Sequence, residues 1–517
     1  MIYFKNILIV LLLFYTICFS FTKPQTALEK SEFKSLTSYN DMIKYLEELA
    51  ASNSRVRLKE IGTSTEGKII PALFFSEDEF IASRREEKPL VMIYAQQHGN
   101  EPSGKEASLI AARILLNDNS DILKHLDLIL VPQVNPDGAE KGIRRNANDM
   151  DLNRNHVILS EPESIALHKL FLRWMPEVTL DIHESNAVKK NWIDHGYIKD
   201  ADEMLGTVTN LNISKNILYF SKNTILKEVG EIIHRDGYRF HEYVVGSPFK
   251  NKRIRYSTTN INDGRQSMGI YNTLSFLVEG KRYGDLTTNI ERRTKAQVSA
   301  IFAFLRSIVN HQTEILKIVR TARNDLLNSD KNQRVYLQMD YFPDSDKKEL
   351  NFPIFDLYSW HHKNRNLSNF EPALKIKKSI KRPYAYIFSE RQTRLLDLLK
   401  KHSIVIKHLV HDQKLKVSSY KILHVTPTIE EDKSGEFVDV DINNHEKKFL
   451  AGAIVIPVDQ KASNLIPLLL EPQSSWGIVT ERSGRKYRFK EFIKEGEIYP
   501  IFRIETPELI DAEEIHY

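Results

Sequence analysis

The stretch LVMIYAQQHGNE, Leu90 to Glu101, sets the reading of the chain. Its first six residues are an unbroken apolar run, short enough for a strand and apolar enough to be covered on both faces, as in a parallel sheet. The run stops at Gln96 and Gln97, so the residues that follow stand at the strand's C-terminal edge. Those residues are His98-Gly99-Asn100-Glu101. A His-x-x-Glu pair in a glycine-containing turn lets one imidazole nitrogen and one carboxylate converge on a single cation, and zinc takes both ligand types while keeping a position open. In isolation the same four residues read more readily as a surface loop, so their meaning depends on the rest of the chain.

Further apolar runs of strand length occur at Leu126 to Val131, Val178 to Ile182 and Leu274 to Val278. Amphipathic helical patterns lie between them at Lys105 to Leu116 and Pro162 to Trp174, and this alternation predicts an α/β domain with a largely parallel sheet. Upstream, Asn40 and Asp41 offer caps for a helix whose face is Met42, Ile43, Tyr45, Leu46 and Leu49. Arg55 to Ile61 and Ile69 to Phe75 read as two strands joined by turn residues between Gly62 and Lys68. A long helical pattern, Asn289 to Leu316, closes the region, and Asn328 to Gln333 reads as a polar linker. From about Arg334 the texture changes to strands at Val335 to Met339, Tyr384 to Phe388, Ile404 to Leu409, Val438 to Ile442 and Ala453 to Pro457, with a helix at Glu390 to His402. That second unit is α+β or α/β. A chain of 517 residues is too long for one ordinary core, which agrees with two domains.

The bulk numbers narrow the class. With 41% hydrophobic and 27% charged residues the chain reads as globular. The net charge of +5 comes from 73 basic and 68 acidic residues without a long basic block, which speaks against nucleic acid as a partner. Lys5 followed by the apolar run Ile7 to Phe19 and a polar exit predicts a signal peptide over residues 1–22. The run is short of the roughly 20 residues a bilayer span needs. The expectation is therefore a secreted or periplasmic protein with no stable membrane span after cleavage. The single cysteine, Cys18, falls in this segment, so the mature chain has no thiol ligand or nucleophile. Lipoprotein anchoring through Cys18 is the alternative, but Tyr15, Thr16 and Ile17 fit a lipidation box poorly.

Three more clusters sit at predicted strand ends. Asn135-Pro136-Asp137-Gly138 reads as a turn after the strand ending at Val131. Arg144-Arg145-Asn146-Ala147-Asn148 leads to Asp151-Leu152-Asn153-Arg154-Asn155. A guanidinium beside an amide suits a substrate carboxylate, and a further arginine in the same loop suits a developing oxyanion. His183 ends the Val178 to Ile182 run and offers a third metal ligand, with Asp181 placed to orient it or to cap locally. Glu279 follows Leu274 to Val278. A carboxylate at the mouth of a sheet needs a partner. A zinc-bound water is one, since the metal lowers the water's pKa to about 7 and the carboxylate takes its proton. His195, His234 and His241 read as ordinary.

In this order the motifs resemble the carboxypeptidase A/B-like zinc metallopeptidases, over roughly Ser38 to Phe304. The resemblance implies a mixed eight-stranded sheet flanked by helices within residues 23–325, with residues 330–517 as an accessory domain. It implies one zinc ion on His98, Glu101 and His183, with Glu279 as general base. Asn153 and Arg154 match the pair that holds the substrate's terminal carboxylate. Arg144 matches the arginine that stabilises the tetrahedral intermediate, with adjacent Arg145 as the alternative. The capping tyrosine is expected some twenty residues before the base, where Tyr256 is nearest. Arg265 falls near the side-chain pocket, as a contact for an acidic side chain or as a structural arginine. Asn100 stands where many digestive members carry arginine. The expected activity is hydrolysis of a peptide bond beside a free C-terminal carboxylate. A deacylase of N-acyl amino acids, a cell-wall peptide amidase and a non-catalytic binding protein are the alternatives.

Overall fold

The computed structural model describes residues 24–77, 87–249, 252–327, 333–431, 433–481, 487–507 and 509–516. The expected signal peptide, Cys18 and most of the expected linker lie outside these residues. The organising element is an eight-stranded mixed sheet built from β1 (Val56–Thr63), β2 (Ile69–Phe75), β3 (Leu90–Ala95), β4 (Asp127–Val131), β5 (Val178–Asn186), β6 (Glu203–Thr207), β7 (Phe240–Glu242) and β8 (Leu274–Arg282). The spatial order is β1-β2-β4-β3-β5-β8-β6-β7. The central strands β4, β3, β5 and β8 run parallel, while β1 and β2 on one side and β6 against β8 are antiparallel. β3 and β4 are buried along their whole length, which is why their sequences are continuous apolar runs rather than alternating ones.

Helices Ser103–Asn117, Pro162–Trp174 and Ile290–Asn310 pack around this sheet. The first helix of the sheet region, Tyr39–Ser52, is capped by Ser38 rather than by Asn40 or Asp41, the Ser38 side chain accepting from Asp41 N. The expected long helix from Asn289 is two, Ile290–Asn310 and Gln312–Leu327, separated at His311. His311 leaves helical geometry there, its ring nitrogen Nε2 lying 3.0 Å from Glu228 and its ring edge-on to Phe220.

The chain after residue 333 is rich in strands. A seven-stranded sheet contains a long two-stranded ribbon, β9 (Gln413–Glu430) and β10 (Lys433–Phe449), of which only the Val438 to Ile442 part stood out in the sequence. The rest of this half is tied to the first half. Tyr197–Lys199 pairs with Leu350–Asp356, and Val335, Leu337, Tyr386 and Leu399 belong to the same buried apolar cluster as Ile93, Leu180 and Phe276.

Candidate active site

Parallel strands that end side by side bring their next residues together. β3 and β5 pair so that Ala95 stands opposite Ile182, and β5 and β8 pair so that His183 stands opposite Glu279. The turn after β3 then returns His98 and Glu101 toward the same place. Gln96 opens this turn with φ +55 and its amide donates to the Gly99 carbonyl at 2.9 Å. Asn135 braces it from outside, donating to the Gln97 carbonyl at 3.1 Å. The Asn-Pro-Asp-Gly segment is a short helix, Pro136–Glu140, rather than a bare turn, with Asn135 as its cap accepting from Gly138 N at 2.9 Å. Asp137 in it accepts from Ser64 Oγ and Glu66 N, which fastens the turn after β1 to the same frame.

His98, Glu101 and His183 form a buried cluster able to hold a metal ion. His98 Nδ1 lies 2.9 Å from Glu101 Oε1, His183 Nδ1 lies 2.9 Å from Glu101 Oε2, and the two Nδ1 atoms are 3.1 Å apart. Two imidazole nitrogens and a carboxylate facing one point are mutually repulsive lone pairs unless a proton or a cation lies between them. Both rings are also anchored from behind, His98 Nε2 by Asp151 at 3.1 Å and His183 Nε2 by Asp181 at 2.9 Å. Imidazole ligands of metals are held by carboxylates in this manner, so the donor set and its backing fit zinc.

A cavity of about 360 Å³ opens onto the cluster. Its lining includes Arg144, Asn153, Arg154, Tyr243, Arg255 and Glu279. Arg144 leans over this cluster: Nε donates to Asp151 Oδ2 at 3.0 Å and Nη1 lies 3.1 Å from His98 Nδ1. Asn153 sits on a short 3-10 turn, accepts from Gly264 N at 2.7 Å and turns its amide nitrogen to within 3.1 Å of His183 Nε2. Arg154 donates back to the Asn153 carbonyl.

The electrostatics separate the carboxylates. Burial raises the Glu279 carboxyl above its ordinary range; His183 and His98 oppose the shift, and the Glu101 charge adds to it. For Asp151, burial is outweighed by His98 and Arg144, which hold it well below the usual range. The Tyr243 phenol is pushed up strongly by burial and by the Glu279 charge beside it.

The three remaining expected residues lie elsewhere. Arg145 is half-exposed and donates to the Asp149 carbonyl at 2.7 Å, away from the cavity lining. Tyr256 packs edge-on against Phe370 and accepts from Lys347 Nζ at 2.9 Å. Arg265 is fully buried behind the wall, donating to Ser257 Oγ at 2.5 Å and Asp263 at 3.3 Å. Tyr243, which sequence reasoning passed over, stands on the cavity wall because it directly follows β7. The signal was the short strand FHE before it; an expected spacing of some twenty residues from the base pointed past it.

A mixed sheet carrying a His-Glu-His cluster and a carboxylate at the ends of adjacent parallel strands defines a metallohydrolase. Residues 42–189 match the zinc carboxypeptidase family, a segment that holds His98, Glu101 and His183. It is 24% identical over 482 residues to carboxypeptidase 2 of Trichophyton tonsurans, an alignment covering 89% of this chain and 85% of the relative. It is 34% identical over 119 residues to carboxypeptidase E of Caenorhabditis elegans, covering 19% and 24% of the two chains. The crystal structure of carboxypeptidase A from Helicoverpa armigera superposes with a TM-score of 0.42 at 22% identity, over 54% of this chain and 75% of that one.

Proposed function

We propose that the chain is a secreted carboxypeptidase that removes the C-terminal residue of peptides bearing a free carboxylate, with one zinc ion on His98, Glu101 and His183. The observation that carries this reading is the in-register pairing of Glu279 with His183 on adjacent parallel strands, in the cavity that Asn153, Arg154 and Arg144 also line. Zinc held there supplies Lewis acidity and activates water near neutral pH. Arg154 and Asn153 grip the substrate's terminal carboxylate, the guanidinium through its planar fork. Arg144 stands over the ligands where a carbonyl oxygen gains charge, and its fixed positive charge favours that change. Glu279, poised by burial, accepts a proton at its carboxylate from the attacking water and returns it to the leaving amine. Tyr243 closes the side of the cavity facing Glu279. These residues all precede residue 325, and the sequence after 330 acts as an accessory unit. The apolar N-terminal segment supports export.

The test joins metal analysis to a panel of peptides, their C-terminal amides and N-acyl amino acids. One zinc per chain is expected, with release of the last residue from free-carboxylate peptides and not from the amides. Glu279→Gln should keep zinc and lose turnover by about 10²- to 10⁴-fold, the range of general-base contributions. Zinc-free protein, or a fully active Glu279→Gln variant, would sink the reading. Faster turnover of N-acyl amino acids than of peptides would replace it with a deacylase.

A further inference from the structure

One wall of the cavity has little structure of its own. Arg255, Ser257 and Thr258 line it, yet only Ile254–Tyr256 is a strand, and the residues from Ser257 to Asn262 have no regular hydrogen-bonding pattern. Such a segment takes its shape from outside partners. Two of those partners are buried glutamates from the far half of the chain.

Glu431 follows β9 directly at the tip of the long ribbon, with φ +47, and it is 2% exposed. Its Oε1 accepts from Thr259 N at 2.6 Å and Thr259 Oγ1 at 2.7 Å, and its Oε2 accepts from Thr258 Oγ1. Its carbonyl accepts from Arg255 Nη2 at 2.9 Å. One residue thus satisfies donors of three wall residues, two of which line the cavity. A left-handed backbone at a non-glycine residue persists where the surroundings over-determine it, and here the surroundings are the wall itself. Glu481 makes a parallel contact. It accepts from Asn262 Nδ2 at 2.6 Å, and the same amide nitrogen donates to the Arg154 carbonyl at 2.7 Å. Asn262 Oδ1 accepts from Val157 N at 2.8 Å.

We propose that Glu431 and Glu481 are positioning residues for the substrate wall, so that the C-terminal half completes the peptide-binding cavity of the catalytic half. Glu431 fixes the Arg255–Thr259 face, and Glu481 acts through Asn262 on the loop that presents Arg154. The metal ligands come from the ends of β3 and β5 on the other side of the cavity and do not depend on either contact. The proposal rests on the peptidase reading above. It predicts a defect in substrate binding that leaves the metal centre intact.

The experiment uses the full-length, zinc-loaded chain with Glu431→Ala, Glu431→Gln and Glu481→Gln. KM and kcat are measured on a free-carboxylate peptide, alongside zinc content and thermal midpoint. Glu431→Ala removes the carboxylate that accepts from Thr258 and Thr259. It should raise KM about tenfold or more, since losing even one charge-assisted hydrogen bond is on that scale, with kcat within about twofold. Glu431→Gln keeps one carbonyl oxygen for Thr259 and should recover part of that loss, which a general destabilisation would not do. Glu481→Gln should likewise act on KM, through Arg154. Should Glu431→Ala fail to fold, the Gln variants carry the same test. Wild-type KM in all folded variants would overturn the proposal alone, as would zinc content, kcat and thermal midpoint falling together. A wild-type chain with zinc but no turnover would overturn the peptidase reading and this proposal with it.

Discussion

At the scale of single residues, the His98, Glu101 and His183 cluster is defined as much by what stands behind it as by its own three side chains. Asp151 is the clearest case, because its two oxygens have separate duties. Oδ1 lies 3.1 Å from His98 Nε2 and Oδ2 accepts from Arg144 Nε at 3.0 Å. One carboxylate thus braces His98 and Arg144 together, and these partners hold it well below the usual carboxylate range. Asp151→Asn substitutes an amide, which can accept through only one atom and no longer carries charge. Carboxylates behind metal-bound imidazoles typically contribute 10- to 100-fold to metal affinity, so a loss of about that size is expected in a competitive chelator titration. At saturating zinc kcat/KM should still fall, because Arg144 has lost its partner. A chelator titration superimposable on that of the wild type would show that Asp151 does not orient His98.

At the scale of elements, the site depends on a close approach between the turn after β3 and the Pro136–Glu140 helix. A Cβ at Gly99 would meet the Gly138 carbonyl carbon at 2.1 Å, so the backbones touch where any side chain would sit. Gly99→Ala must push the two segments apart, and overpacking of this kind costs about 1–3 kcal/mol. Because Gly99 lies between His98 and Glu101, the displacement should appear as weaker zinc binding as well as a lower thermal midpoint. Unchanged zinc affinity in a destabilised variant would mean that the turn moves as a rigid unit. The same elements show what could be read in the sequence. Strands β2 and β3 and the Pro162–Trp174 helix were legible to the residue, because burial on both faces or on one stripe leaves an apolar pattern. The break at His311 was not, because apolar periodicity continues through it and only contacts with Glu228 and Phe220 mark it. The ribbon of β9 and β10 was legible only in part, since much of it faces solvent and carries Lys, Asn and Glu where a half-buried strand would alternate. His98, Glu101 and His183 could be found because each stands at or beyond the end of an apolar run that the sequence shows plainly. Tyr243 and Glu431 escaped because their places at the cavity come from contacts between distant segments.

At the scale of the whole molecule, the two halves meet around three buried histidines. His156 Nδ1 lies 2.9 Å from His168 Nε2, and the His168 ring is edge-on to His402 at 5.7 Å. His402 belongs to the C-terminal half, and its Nε2 donates to the Val157 carbonyl at 2.8 Å. Burial lowers His156 and His402 to about 4, and it lowers His168 well below the ordinary value, with His156 and His402 adding to that shift. Their folded-state pKa values are thus depressed below the unfolded value of about 6.5. Between these limits the unfolded chain binds more protons than the folded one, so stability rises with pH through this window. The contribution is fully present above about pH 6.5 and is withdrawn as pH falls toward 4, by an amount on the order of several kcal/mol for the group. Measured on zinc-free protein, so that release of the metal does not add to the effect, the urea midpoint should fall steeply between pH 6.5 and 5. In a His156→Gln/His402→Gln variant that slope should flatten, because an amide does not titrate and can still donate to Val157. A midpoint independent of pH in the wild type, or an equal slope in the variant, would show that acid sensitivity arises elsewhere than at the junction of the two halves.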